Sequence, residues 1–328
     1  MGLGAALVYW FIHKMGPVER QQTIDTFKRA NYGWVLMAPV IGFISNFSRA
    51  QRWRLLLEPL GHKPGFWNTF FSVMMMYFVN LIFPRGGEVS RCAVLARYEN
   101  VPLDKSIGTM VVERLVDLIS ILIILAILFI SQFDLIYNSI GHFRQIVNQN
   151  SAKGPNYAAW AVIAGIAIAL VAVTIYILRK YGMERLKQTA RERLLGFIEG
   201  LKSIKDLRSP WQFLFHSVLI WFCYFMMGFV SFHALPETAH LGVFAAMAVL
   251  VAGGFAIVAT PGGIGVYPIA IAYVLSIYGI KDGVIGGAYG YLAWAAQTGS
   301  VLFGGAISLI LLAIINREPS LEKVTLKT

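Results

Sequence analysis

Between Asn80 and Asp117 the chain reads NLIFPRGGEVSRCAVLARYENVPLDKSIGTMVVERLVD, placing four arginines, three glutamates and two aspartates between runs almost free of charge. Ionisable side chains in an apolar surround are costly unless paired or wetted, so they mark sites, ion paths or relays. Arg85 stands beside Gly86 and Gly87, which let backbone N–H groups approach a ligand, and the short helix expected over about Glu88 to Tyr98 offers its N-terminus to an anion. That combination suits a phosphate headgroup. The structural alternative has Glu88 capping this helix and pairing with Arg85 or Arg91, and the two coexist if a lipid competes for the arginine.

The third group is Glu113-Arg114-Leu-Val-Asp117. At 100° per residue, Asp117 lies about 40° and Arg114 about 100° from Glu113, so all three share a helix face, with Thr109 and Ser120 near it. At a helix centre each charge costs roughly 2.5 to 3.5 kcal/mol, so the three must be paired, neutralised or wetted. Together with Arg85, Glu88 and Arg91 they form a network that serves as a structural clamp or as a polar path for a headgroup; the path is the preferred reading. A second proline-glycine stretch, Thr260 to Val266 (TPGGIGV), carries Pro261, Gly262, Gly263 and Gly265 and no charge. Both stretches end apolar segments. Proline removes a backbone donor and Gly-Gly holds helix poorly, so each break frees peptide groups that lipid cannot satisfy. A matched pair of breaks in two halves points to a transporter's central site and to an inverted repeat. The charged half and the glycine half should then face each other.

The elements that position these groups must be membrane helices. With 57% hydrophobic and 14% charged residues and a mean hydropathy of +0.63, the chain reads as a polytopic, all-α membrane bundle with two Pro/Gly-broken segments, one domain over residues 1–328. The net charge of +11 fits loops facing anionic lipid better than nucleic acid, for which no motif is present. Cys92 and Cys223 read as buried thiols, and the six histidines show no ligand spacing, so neither a metal nor another cofactor is expected.

Gly2 to Ile12, about 16 Å of helix, is too short to cross, and Lys14 to Asn31 reads as an amphipathic interfacial connection. Tyr32 to Leu57 is a helix whose Arg49, Arg52, Trp53 and Arg54 read as an interface anchor, preferred over a headgroup site. Phe66 to Phe83 is expected to re-enter, Ser106 to Ser131 and Tyr157 to Leu178 to span. Between Arg179 and Arg208 nine Lys/Arg face four Asp/Glu, which places loop 179–209 in the cytoplasm. Trp211 to Leu235 and Val284 to Asn316 span; Leu241 to Ala259 and Tyr267 to Ile280 either cross or both turn back. Lys281 and Asp282 then lie outside and the tail 317–328 inside.

The order N-x-x-x-P-R-x-G-E-x-x-R (Asn80, Pro84, Arg85, Gly87, Glu88, Arg91), then E-R-x-x-D (Glu113, Arg114, Asp117), then T-P-G-G-I-G-V (Thr260 to Val266) resembles the bacterial flippase-like family named for the transmembrane region of lysylphosphatidylglycerol synthetase. The resemblance runs from about Tyr32 to Asn316. It implies an inner-membrane helical bundle with broken helices that, in two-part members, translocates an aminoacylated lipid made by a C-terminal synthase. Only twelve residues, REPSLEKVTLKT, follow Asn316, so lysyl transfer is not expected; with no nucleophile-base or metal constellation in the chain, no enzyme activity is expected, and an intramembrane lipid enzyme is the weakest reading. The expected function is movement or binding of an anionic or modified headgroup of a phospholipid or polyprenyl-phosphate lipid. The alternative is a non-transporting partner of an envelope-synthesis enzyme, docked through the basic loop.

Overall fold

The computed structural model describes residues 16–83, 86–133, 135 and 206–317. Among them the secondary structure is entirely helical: α1 Pro17–Arg29, α2 Tyr32–Leu57, α3 Phe66–Ile82, α4 Gly86–Tyr98, α5 Leu103–Ser131, α6 Pro210–Ser231, α7 Val243–Ala259, α8 Val266–Ile277 and α9 Gly283–Ile315. The runs Gly2 to Ile12 and Tyr157 to Leu178, the basic loop as far as residue 205 and the tail beyond Arg317 lie outside the described residues, as do Pro84 and Arg85.

Three helical stretches, Leu103–Ser131, Pro210–Ala234 and Gly283–Ile315, are long and apolar enough to cross a membrane. Helix α2 has a similar length of 26 residues and runs antiparallel to α6, from Asn31 N–H donating to the Ala234 carbonyl to Arg52 beside Ser217. The remaining apolar helices are shorter, with 17 residues in α3, 17 in α7 and 12 in α8. At 1.5 Å per residue these reach about 26, 26 and 18 Å, short of a ~30 Å hydrocarbon layer.

The short helices form two hairpins, α3–α4 and α7–α8, and α9 shows how they lie. Its 33 residues extend about 50 Å. Near its start Gly286 packs on Ala272 and Gly290 on Pro268 of α8; farther along, Gly304 meets Met74 and Gly305 meets Phe78 of α3. At its end Asn316 exchanges hydrogen bonds with Asn68. The hairpins therefore enter from opposite faces, and their tips meet along the middle of α9, where Gly262 touches Leu81 and Trp294 Nε1 donates to the Gly262 carbonyl at 2.8 Å. Both segments left open or expected to re-enter thus turn back.

The order long helix, hairpin, long helix occurs twice, as α2 to α5 and as α6 to α9, with the second set inverted relative to the first. On one face lie the turn after α2, the α4–α5 connection, Leu207 and Asn316; a cluster of Leu56, Val112, Leu207 and Phe213 seals it. On the other lie Ala30, Leu235, Leu241 and Ile280, packed together, and beside them Asp282, the N-cap of α9. Helix α1, largely polar, sits at this second face, tied by Arg29 to Glu237 at 2.6 Å.

Candidate functional site

The first break differs from its sequence reading in one respect. Gly86 and Gly87 do not interrupt helix; they begin α4, because Asn80 Oδ1 accepts the Gly87 N–H at 2.9 Å. This satisfies a donor that a helix start otherwise leaves free. A Cβ on Gly87 would run into the Met76 carbonyl and the Asn80 side chain, so glycine is what lets α3 and α4 close. At the second break Gly262, Gly263 and Gly265 have φ of 62°, 72° and 77°, left-handed values that L side chains avoid. Pro261 opens a single 3-10 turn there, Pro261–Gly263.

The charged residues divide into two groups. The inner group is buried: Arg91 pairs with Glu113, Arg52 lies 3.5 Å from Glu113 and 2.8 Å from Asp117, and Arg49 lies 3.0 Å from Asp117. Arg49 also donates to the Tyr224 hydroxyl at 3.2 Å, which shares a hydrogen bond with Tyr77. The Arg91 guanidinium lies 4.3 Å over the Trp53 ring, and Trp53 Nε1 donates to Thr109. These contacts join α2, α3, α4, α5 and α6.

The expectation that Arg49, Arg52 and Trp53 anchor α2 at the membrane surface is therefore overturned. All three are buried, and they pair with Asp117 and stack on Arg91. Only Arg54 of that set lies near the helix end, donating to the Pro64 carbonyl at 2.9 Å. The available signal was position and stripe: Arg49 lies two turns inside Leu57, and Ser45, Ser48, Arg49 and Arg52 share one face.

The outer group is one ion pair. Arg114 Nη2 donates to Glu88 Oε1 at 2.6 Å, so among the described residues the partner of Glu88 is Arg114, while Arg91 pairs with Glu113. The Arg114 side chain is 47% exposed and that of Glu88 17%. The face shared by Glu113, Arg114 and Asp117 thus has a buried centre and an open edge at Arg114. Counting from Leu103, Arg114 sits about 17 Å along α5, near the middle of that 29-residue helix. Exposed apolar side chains flank the pair along its helices: Val89 follows Glu88 on α4, Leu118 lies one turn beyond Arg114 on α5, and Phe83 is the C-cap of α3. Among the described residues no group of three or more His, Cys, Asp or Glu could hold a metal ion.

The family described as the lysylphosphatidylglycerol synthase TM region matches residues 1–291. This chain belongs to that family. A UPF0104 membrane protein of Methanocaldococcus jannaschii is 25% identical over 173 residues, 52% of this chain and 46% of that protein. The chain thus spans about half the length of this curated relative, an archaeal protein, so membership of the family does not mark its source as bacterial. No solved structure matches. The chain is accordingly a membrane protein of a family named for lipid metabolism, with candidate spans as given above.

Proposed function

We propose that this protein moves an anionic, phosphate-bearing lipid between the leaflets of its membrane. The headgroup is received at the tip of the α3–α4 hairpin, by Arg114, the Gly86–Gly87 backbone and Glu88, while acyl chains stay in the surrounding lipid. The observation that carries this reading is the Glu88–Arg114 pair standing open near the middle of α5, on the hairpin whose tip meets that of the opposed, broken hairpin. An arginine there is costly unless wetted or paired, and its planar fork fits a phosphate. Asn80 supports the Gly87 end of this site, and Pro261, Gly262, Gly263 and Gly265 form the opposing wall. The inner cluster of Arg49, Arg52, Arg91, Glu113 and Asp117 is the clamp that fixes α2, α4 and α5 behind it.

By the positive-inside rule the face bearing Leu207 and Asn316, reached from the basic stretch 179–208, is cytoplasmic. Leaflet exchange of labelled lipids in reconstituted liposomes tests the proposal. Arg114→Gln should reduce exchange of anionic lipids to the level of empty liposomes while the protein stays folded, with a smaller fall in thermal midpoint than Asp117→Asn. Wild-type exchange no faster than empty liposomes, for anionic, zwitterionic and polyprenyl-phosphate lipids alike, would sink it.

A further inference from the structure

The Glu88–Arg114 pair leaves one carboxylate oxygen idle: Oε1 accepts from Arg114, and Oε2 is buried with no hydrogen-bond partner. Among the described residues, the groups that could otherwise balance Glu88 are committed elsewhere. On α5, Glu113 is held by Arg91 and Arg52. On α4, Arg91 belongs to Glu113, and Cys92 is a buried free thiol. From α3 the nearby polar groups are Asn80, bound to the Gly87 N–H, and Tyr77, bound to Tyr224. Among the described residues the charge on Glu88 is therefore balanced by Arg114.

Building on the lipid reading above, we propose that this pair couples passage of the headgroup to a proton. A phosphodiester headgroup brings one negative charge and takes the Arg114 guanidinium by paired hydrogen bonds. Glu88 then loses its partner in an apolar surround, where an unpaired carboxylate is costly, and takes one proton from the aqueous side at which the headgroup enters. On release to the other leaflet the phosphate leaves, the proton leaves Glu88 for that side, and the ion pair re-forms. Counted over the pair and its ligand alone, the empty pair, with Glu88 ionised and Arg114 cationic, and the loaded pair, with Glu88 protonated and the phosphate on Arg114, each carry no net charge. Without the proton, the loaded pair would carry one net negative charge in an apolar surround. The exposed Phe83, Val89 and Leu118 beside the pair favour a lipid over free phosphate as the source of the anion.

One proton per lipid makes the transport electroneutral and driven by a pH gradient. The test uses the full chain in phosphatidylcholine liposomes holding a trace of acyl-labelled phosphatidylglycerol, with leaflet distribution read by an impermeant quencher. With the potential clamped at zero, a gradient of one pH unit should enrich the probe up to about tenfold in the leaflet facing the alkaline compartment. A potassium diffusion potential at equal pH should leave the distribution even. Glu88→Gln should lose the enrichment under the gradient, and Glu88→Asp should retain it. A wild-type distribution that ignores the pH gradient or follows the potential, or a Glu88→Gln variant that still responds, overturns the coupling while leaving translocation standing. Absence of any wild-type exchange defeats translocation itself. Uptake of inorganic phosphate with the same pH dependence would replace the lipid by a free anion and overturn the assignment.

Discussion

Three guanidinium groups and two carboxylates share one buried cluster, and their roles follow from how completely each is enclosed. Arg52 and Glu113 are fully buried, while Asp117 bridges Arg49 and Arg52. Removing the Asp117 charge leaves two guanidinium groups in a low-dielectric interior with too little compensation. Asp117→Asn is expected to cost about 3–5 kcal/mol, since breaking a buried pair is far worse than never having built it. Unfolding followed in detergent micelles measures this loss. Arg114→Gln leaves Glu88 free to take a proton and so strands no charge; it should cost less than Asp117→Asn, so the same measurement separates clamp from headgroup contact. The carboxylates and Arg91 were legible in the sequence because they sit among apolar residues with nothing local to satisfy them. Arg49 and Arg52 were misread because two arginines beside a tryptophan near a helix end have the composition of a surface anchor. Their partners, Asp117 and Tyr224, lie 65 or more positions away in the chain, and no local pattern reports that.

Among the elements, the hairpins depend on glycine at two close approaches, Gly87 within the first hairpin and Gly262 between the two tips. Gly87→Ala would drive a Cβ into the Met76 carbonyl and the Asn80 side chain. Backbone cannot yield as a side chain does, so α3 and α4 must separate. We expect a loss of about 1–3 kcal/mol, and lipid exchange should fall with it. Gly262→Ala would place its Cβ 2.6 Å from Leu81 Cδ2 at a φ of 62°, combining a collision between tips with backbone strain of about 1–2 kcal/mol. Shortening Leu81 removes the collision and not the strain. In a double-mutant cycle, Leu81→Ala should therefore rescue Gly262→Ala in part, with a coupling of about 1 kcal/mol; strict additivity would mean that the tips do not touch.

The inverted order of the two halves has consequences for the whole molecule. Lys63, between α2 and α3, and Lys281, just before α9, belong to opposite faces, because each hairpin opens toward its own side. Single cysteines at these positions should label with an impermeant maleimide from opposite sides of the membrane, over a low background from the buried Cys92 and Cys223. Labelling from one side only would contradict the opposed hairpins. Entry from both faces places the paired breaks near mid-membrane, where the surrounding helices, and not water, must satisfy freed peptide groups. Asn80 does so for Gly87 and Trp294 for Gly262.

The sequence by itself determined the class of molecule, the helices and the chain positions of the breaks, because hydrophobic runs and proline-glycine pairs act over a few residues. Tyr32 to Leu57 was placed to the residue, and α5 began three residues earlier than expected, at Leu103 behind Pro102. Only the tertiary structure decided which charges are buried and which face outward, since Glu113 and Arg114 are adjacent in the chain and their different surroundings come from α2 and α4. It likewise decided that the segments on either side of Pro261 turn back. Charge counting gives the same topology for two crossings as for none; the packing of both hairpins along α9 does not.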